Sequence, residues 1–262
     1  MIPKPRNLIL NLLLGAGGEP LPARSAVASC ALFGIRENSV RVALVRLAAS
    51  GLVEAAGRGA YRLGPSAAQL AADVATWRDA GRRLRDWNGD WIAVHSGPLG
   101  RSDRTALRAR DRALGLVGLR ELDRGLFLRP DNLSGGVDAA RERMFKLGLE
   151  PAAAVFVAHG LDPEREQRAR SLWDGAALDR GYRETRRRLD DWLARAGTLE
   201  LEVAARESFL LGNDAIRQLV FDPLLPAPLV DADARHAFID AVVRFDAAGQ
   251  AIWKRFREET TQ

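Results

Sequence analysis

Glycines divide the first 63 residues of this 262-residue chain into segments so short that only a small module can form there. The Gly15–Gly18 stretch interrupts one apolar run, and Gly34 ends a second. Glycine is the residue that most readily ends a helix or turns the chain. Between these breaks the pattern predicts three short helices, over residues 7–14, 23–32 and 37–49.

The third predicted helix has one apolar stripe and one polar face. Its apolar residues recur at the spacing 0, 3, 4 and 7 of a buried face, and they are Val40, Ala43, Leu44 and Leu47. At 100° per residue, the opposite side carries Asn38, Val42, Val45 and Arg46, with Ser39 and Arg41 on its flanks. Arginine bonds guanine edges or phosphate, and asparagine bonds adenine. This face therefore predicts a helix that enters the major groove of DNA.

A hairpin with a basic tip follows the third helix. Two short strands, 52–55 and 60–63, flank the turn Gly57-Arg58-Gly59. The order helix, helix, turn, helix and hairpin predicts a winged helix-turn-helix DNA-binding domain over residues 1–65. The residues predicted to contact DNA are Arg36, Asn38, Ser39, Arg41, Val42, Arg46 and Arg58.

Net charge is concentrated in the same segment. The first 63 residues hold eight Lys or Arg against three Glu, a net of +5, and the whole chain also has a net charge of +5. Residues 64–262 therefore sum to zero. A basic head on a neutral body favours contact with double-stranded DNA through its phosphates. Two alternatives stay open: a solvated arginine-rich face, and a winged helix that binds only protein.

Composition argues against several other classes. The chain has one cysteine and three scattered histidines, so it predicts no disulfide framework, no metal site and a reducing, cytoplasmic location. No apolar run reaches the 18 residues of a membrane span. Neither a Gly-x-Ser-x-Gly nucleophile elbow nor a glycine-rich phosphate loop occurs, so we predict that the chain is not an enzyme and needs no cofactor.

The remainder of the chain predicts three further segments and an α+β fold overall. Residues 66–86 form a connecting helix that ends near Arg85. Residues 87–160 predict the order β-α-β-β-α-β of a ferredoxin-like sandwich, with Ser102 capping its first helix. Residues 161–262 are almost entirely helical and predict an effector or dimerisation domain. Large aromatic residues in this helical segment are predicted to lie in its core, and they are Trp173, Tyr182, Trp192 and Trp253.

Several longer segments carry a resemblance to a known family. They are Gly34-Ile35-Arg36-Glu37-Asn38-Ser39-Val40-Arg41-Val42-Ala43-Leu44-Val45-Arg46-Leu47, Gly125-Leu126-Phe127-Leu128-Arg129-Pro130-Asp131-Asn132-Leu133 and Asp222-Pro223-Leu224-Leu225-Pro226. In these the chain resembles the PaaX family, the repressors of phenylacetic-acid degradation. The resemblance implies a dimeric bacterial repressor with a winged helix, a central domain like the Cas2 nuclease fold and a helical C-terminal domain. It also implies release from DNA by an acyl-coenzyme A effector such as phenylacetyl-coenzyme A.

The resemblance leaves three functional classes to distinguish. The first is a ligand-responsive repressor of a catabolic operon, bound as a homodimer to an inverted repeat. The second is a constitutive DNA- or protein-binding scaffold without an effector. The third is a Cas2-like metal-dependent nuclease, which resembles this chain least because the first strand of the central domain ends in His95-Ser96-Gly97 without a carboxylate. Residues 228–233 lack a tryptophan often found there in the family, so the ligand-binding residues stay unknown.

Overall fold

A computed structural model describes residues 3–67, 81–97, 99–100 and 102–260 of the chain, with the backbone alone for residue 82. These residues form an α+β fold, as predicted. The helices are α1 (Pro5–Gly15), α2 (Ala23–Ala31), α3 (Glu37–Ala49), α4 (Arg104–Val117), α5 (Gly136–Lys146), α6 (Pro163–Arg170), α7 (Gly175–Arg195), α8 (Leu201–Val220) and α9 (Ala232–Glu259). The strands are β1 (Leu21–Pro22), β2 (Val53–Ala55), β3 (Ala60–Leu63), β4 (Trp91–His95), β5 (Arg120–Asp123), β6 (Leu126–Pro130) and β7 (Ala154–Ala158).

Two local predictions are wrong. The cap of α4 is Asp103 rather than Ser102, because the Asp103 carboxylate accepts hydrogen bonds from the backbone N–H groups of Thr105 and Ala106 at 2.7 and 3.1 Å. The connecting helix does not continue to Arg85, whose backbone N–H instead donates to the carbonyl of Asn132 at 2.9 Å. The middle of that predicted helix, residues 68–80, lies outside the described residues.

The described residues divide into two compact units. The head unit takes its residues from the ranges 1–78, 187–217 and 240–262, and the sheet unit takes its residues from 79–186 and 218–239. Each of the three longest helices, α7, α8 and α9, supplies residues to both units. The predicted helical segment 161–262 is thus shared between the units, and its boundaries stay a prediction.

The head unit is built around the apolar sides of α1, α2 and α3. A small antiparallel sheet of order β1-β3-β2 lies beside them. The last turns of α9 and part of α8 complete this core with apolar side chains. Its fully buried members are Leu8, Ile9, Ala26, Cys30, Val40, Leu47, Val53 and Ala205, and Trp253 and Phe256 also pack there. The apolar periodicity of three short helices therefore suffices for a core only when longer helices cover it.

The only cysteine of the chain offers a direct test of this core. Burial raises the pKa of the Cys30 thiol to about 12. Because the thiolate is the reactive form, we expect the folded protein at pH 8 to react with an aromatic disulfide reagent at least about a thousandfold more slowly than the unfolded chain. Absorbance of the released thiolate measures this, and denaturant should expose one equivalent. Rapid stoichiometric labelling of the folded protein would contradict the buried placement.

The sheet unit contains a four-stranded sheet of order β5-β6-β4-β7, and every neighbouring pair is antiparallel. Helices α4 and α5 pack on one face of it. The core between them is wholly apolar, and its most buried members are Ile92, Val94, Ala113, Leu114 and Met144. Strand β4 lies in the middle of the sheet, and its residues from Trp91 to Val94 are completely inaccessible to solvent.

The loop between α8 and α9 is held by buried polar side chains of the sheet unit. Three successive carbonyls of this loop each accept a hydrogen bond: that of Pro223 from Arg129, that of Leu224 from Asn132, and that of Leu225 from Arg235. All three donor residues are at most 2% exposed. Buried donors that each meet a backbone acceptor fix the path of a loop. The segment 222–225 is therefore part of the folded core rather than a surface connection.

The same loop carries local strain and a perturbed carboxylate. Leu224 has a left-handed backbone with φ of 52°, the only non-glycine residue with positive φ in the described parts of the chain. The Asp222 carboxylate accepts the Leu224 N–H at 2.7 Å, and this turn stabilises the unusual conformation. Burial raises the pKa of Asp222 above its ordinary value.

Candidate nucleic-acid interface

The turn between α2 and α3 sets the direction of α3. Gly34 has a φ of +71°, a left-handed conformation that side chains with a Cβ adopt at a cost. The following N–H, of Ile35, donates to the carbonyl of Cys30 at 3.2 Å and closes the turn at the end of α2. Helix α3 then begins at Glu37, where an acidic residue suits the positive end of the helix dipole.

Helix α3 buries the predicted stripe and exposes the predicted face. The stripe residues Val40, Ala43, Leu44 and Leu47 are the buried residues of the helix. All the residues predicted to contact DNA are exposed, namely Arg36, Asn38, Ser39, Arg41, Val42, Arg46 and Arg58. The structure therefore places six of them on or next to one helix face and Arg58 on the following hairpin. Their contact with DNA stays a prediction.

The arginines of this face differ in their partners. Arg41 is tied to Glu37 one turn earlier, with Nη2 2.6 Å from the carboxylate. Arg46 lies in the last turn of α3 and has no hydrogen bond or ion pair with any described residue, and the same holds for Arg36. Arg46 is thus a free cation on the exposed face, whereas Arg41 would have to share or release its carboxylate to contact a phosphate or base.

The β2–β3 hairpin presents a second cation. Arg58 is exposed at the tip, between Gly57 and Gly59, whose φ values of +88° and +68° allow the tight reversal. The carbonyl of Gly59 accepts the N–H of Ala23 at 2.8 Å, which ties the tip to the start of α2. Arg62, further along the hairpin, is paired with Glu54 at 2.7 Å across the two strands. Arg58 is therefore the free arginine of this hairpin.

Two features of the site were not fully anticipated. Val45 belongs to the exposed face and is 66% exposed, more than Val42 at 42%, yet the predicted contact set omits it. Helical spacing alone was enough to find it, because Val45 points away from the buried stripe. The pairing of Arg41 with Glu37 also has a sequence signal, since acidic and basic residues four apart on a helix lie side by side.

An effector site is less well marked than the basic face. The four aromatic residues considered for it, Trp173, Tyr182, Trp192 and Trp253, are buried at 8% exposure or less, as predicted for core residues. The head unit has an open groove of about 440 Å³ lined by residues of α2, α8 and α9, and the sheet unit has a cavity of about 270 Å³ at the end of β4. Neither cavity concentrates positive charge, so neither identifies the residues that would bind coenzyme A phosphates.

Metal and membrane chemistry leave no mark on the parts of the chain seen here. Over the described ranges, no group of three or more His, Cys, Asp or Glu residues is arranged to hold a metal ion. At the end of β4, where a Cas2-like nuclease would need a carboxylate, His95 is exposed and Ser96 is buried with its hydroxyl 3.4 Å from the Gly125 carbonyl. Among the described helices, none is long and apolar enough to cross a membrane.

Comparisons with known proteins agree with this arrangement. A family model described as PaaX-like protein matches residues 4–67, and a model described as PaaX-like protein C-terminal domain matches residues 173–255. One similar solved structure is the uncharacterized protein Rv0674 from Mycobacterium tuberculosis. It is 27% identical, with a TM-score of 0.58 over 94% of this chain and 98% of that chain. No curated protein matches. Since the two family models together cover more than half of its length, the chain belongs to the PaaX-like family.

Proposed function

We propose that the protein is a transcription repressor that binds an operator as a homodimer and releases it on binding an acyl-coenzyme A such as phenylacetyl-coenzyme A. The observation that carries this proposal is the exposed face of α3, which combines free arginines with groups able to read base edges. Membership of a family of regulators supports the same conclusion and favours a non-enzymatic role.

The architecture that fits this function is a winged helix-turn-helix followed by a ferredoxin-like, Cas2-like domain. Helices α1 to α3 and the β2–β3 hairpin have the element order of the first. The strand order β5-β6-β4-β7, with α4 and α5 on one face, has the order of the second. In the first domain, α3 is the helix that would enter the groove and the hairpin is the wing that would meet the phosphate backbone.

The groove contacts divide into two kinds. Arg46 would form bonds with a guanine edge or a phosphate, and Asn38 with an adenine edge, so these side chains would read sequence. Arg36 and Arg58 would neutralise phosphates and fix the orientation of the head. Two copies of α3 would meet an inverted repeat whose half-sites lie about 34–36 Å apart, one helical turn of DNA, or a multiple of that distance.

Effector release would arise from a shift between two dimer geometries. A ligand can change DNA affinity only if it binds one of these geometries more tightly than the other. We infer an acyl-coenzyme A because of the family membership, and no pocket residue is assigned to it. If the protein lacked an effector, the same face would serve a constitutive DNA-binding protein.

Fluorescence anisotropy on labelled DNA from upstream of the gene tests both parts of the proposal. We expect tight, sequence-specific binding that phenylacetyl-coenzyme A abolishes and free coenzyme A does not. Tight binding that ignores the thioester would remove the proposed effector and retain the DNA-binding role. Equal affinity for operator and scrambled duplex at moderate salt would contradict the DNA-binding role itself.

The wing arginine gives a separate prediction. Replacing Arg58 with alanine should weaken binding to all duplexes alike, because a phosphate contact carries no sequence information. The slope of log affinity against log salt concentration should become shallower by about one unit per monomer. Anisotropy titrations at several salt concentrations measure both effects. The matched control is Arg112→Ala, which removes an exposed arginine of α4 outside the head; a change in slope as large in this control would contradict the assignment.

A further inference from the structure

Two apolar side chains interrupt the polar face of α3. Val45 is 66% exposed, which makes it the most exposed large apolar residue of the described chain, and Val42 is 42% exposed. Valine is a poor helix former because its branched Cβ loses rotamer freedom in a helix. In the isolated chain these side chains neither fill a core nor favour the helix. Their presence at these positions therefore calls for a partner that contacts them.

The surroundings of the two valines indicate what kind of partner this is. They lie three residues apart, on adjacent turns of one face, and Arg46 follows Val45 directly. The patch they form is only two side chains wide and lies in the segment that holds the whole net charge of +5. A protein-docking patch is broader and is depleted of charge at its centre. A narrow apolar strip within a cationic surface instead complements a groove with phosphate walls.

The floor of the DNA major groove contains one apolar group that such a strip can contact. This group is the C5-methyl of thymine, since the other base-edge groups there are hydrogen-bond donors or acceptors. We propose that Val45, with Val42 beside it, reads a thymine methyl group in each half-site of the operator. This inference rests on the proposed DNA-binding function and adds a specificity determinant that hydrogen bonding by Arg46 and Asn38 does not supply.

The test compares thymine with deoxyuridine, which lacks only the methyl group. Duplexes that bind the full-length protein are first selected from a randomised pool, and the strongest is remade with deoxyuridine at one thymine position at a time. At one or two positions per half-site, we expect the loss of the methyl group to weaken binding about three- to fivefold, the factor for one buried methyl-sized group. At the remaining thymine positions the change should be smaller than twofold.

Variants of the protein assign the effect to the valines. Val45→Thr keeps the side-chain shape but replaces a methyl with a hydroxyl, and Val45→Ala removes both methyls. Both should bind thymine and deoxyuridine duplexes with nearly equal affinity at the position that Val45 contacts. The matched control is Val243→Ala, which changes a valine of α9 that is 43% exposed and lies outside the DNA-binding face. This control should retain the full discrimination.

Each outcome has a distinct meaning. If the wild-type protein binds both duplexes equally, methyl readout is wrong and the DNA-binding function stands. If the deoxyuridine penalty persists in both Val45 variants and in Val42→Ala, the methyl group acts through DNA shape rather than through valine contact, and the inference is again overturned. If no duplex is enriched from the pool, the proposed function itself fails.

Discussion

Replacing Arg129 with alanine is expected to destabilise the protein by about 3–5 kcal/mol, the largest effect of any single substitution that we predict. Arg129 is 2% exposed, and its guanidinium is bonded to neutral acceptors only. It donates to the carbonyls of Val117, Pro130 and Pro223 and to the side-chain oxygen of Asn132. Alanine would leave these buried acceptors without donors and would also open a cavity.

The charge of Arg129 survives burial because of where its acceptors lie. Burial lowers its pKa to about 9, which still leaves the guanidinium protonated at neutral pH. The Val117 carbonyl belongs to the last turn of α4, where the helix dipole favours a cation. The contact with Pro223 then fixes the loop between α8 and α9. A residue of strand β6 is thus expected to stabilise a loop more than ninety positions away.

Urea unfolding followed by circular dichroism and tryptophan fluorescence measures the loss. Arg129→Lys should recover little of it, because one ammonium group cannot reach acceptors arranged around a planar guanidinium. Arg112→Ala, at an exposed position of α4, should change the free energy of unfolding by less than about 0.5 kcal/mol. A loss below about 1 kcal/mol for Arg129→Ala would mean that the buried hydrogen bonds do not support the loop.

Replacing Arg46 with alanine is expected to have the largest effect on operator recognition. Arg46 is exposed on the DNA-facing side of α3 and is free of partners, whereas Arg41 on the same face is held by Glu37. If Arg46 bonds a guanine, its loss should weaken operator binding by about 1–3 kcal/mol and relax specificity at a single base-pair position. Affinity for random DNA should change much less.

Competition assays with operators mutated at each position measure this pattern. The Arg41→Ala variant is the informative comparison, because we expect a smaller loss from an arginine that is already neutralised by an ion pair. Thermal unfolding should show that Arg46→Ala remains folded, since the residue contributes at most about 1 kcal/mol through the dipole at the end of α3. Unchanged specificity in the Arg46 variant would exclude it as a base-reading residue.

Local sequence determined the elements of the head. The predicted bounds of α3, 37–49, and of β3, 60–63, coincide with the structure. Apolar spacing within one helix and glycines at a tight turn depend on neighbours along the chain, so a single sequence contains the information. The exposed face of α3 followed from the same periodicity, because a helix that buries one stripe must expose the opposite one.

Tertiary structure decided which charged groups are buried and which are free. Arg129 and Arg46 are both arginines in family-like segments, and no local pattern separates them. Arg129 became a core residue because Pro223 and Asn132 come to meet it in the folded chain. Arg46 stayed free because no described carboxylate lies near it. The cost of burying a charge depends on partners that are distant in sequence, so only the assembled fold could assign one arginine to stability and the other to the proposed contact with DNA.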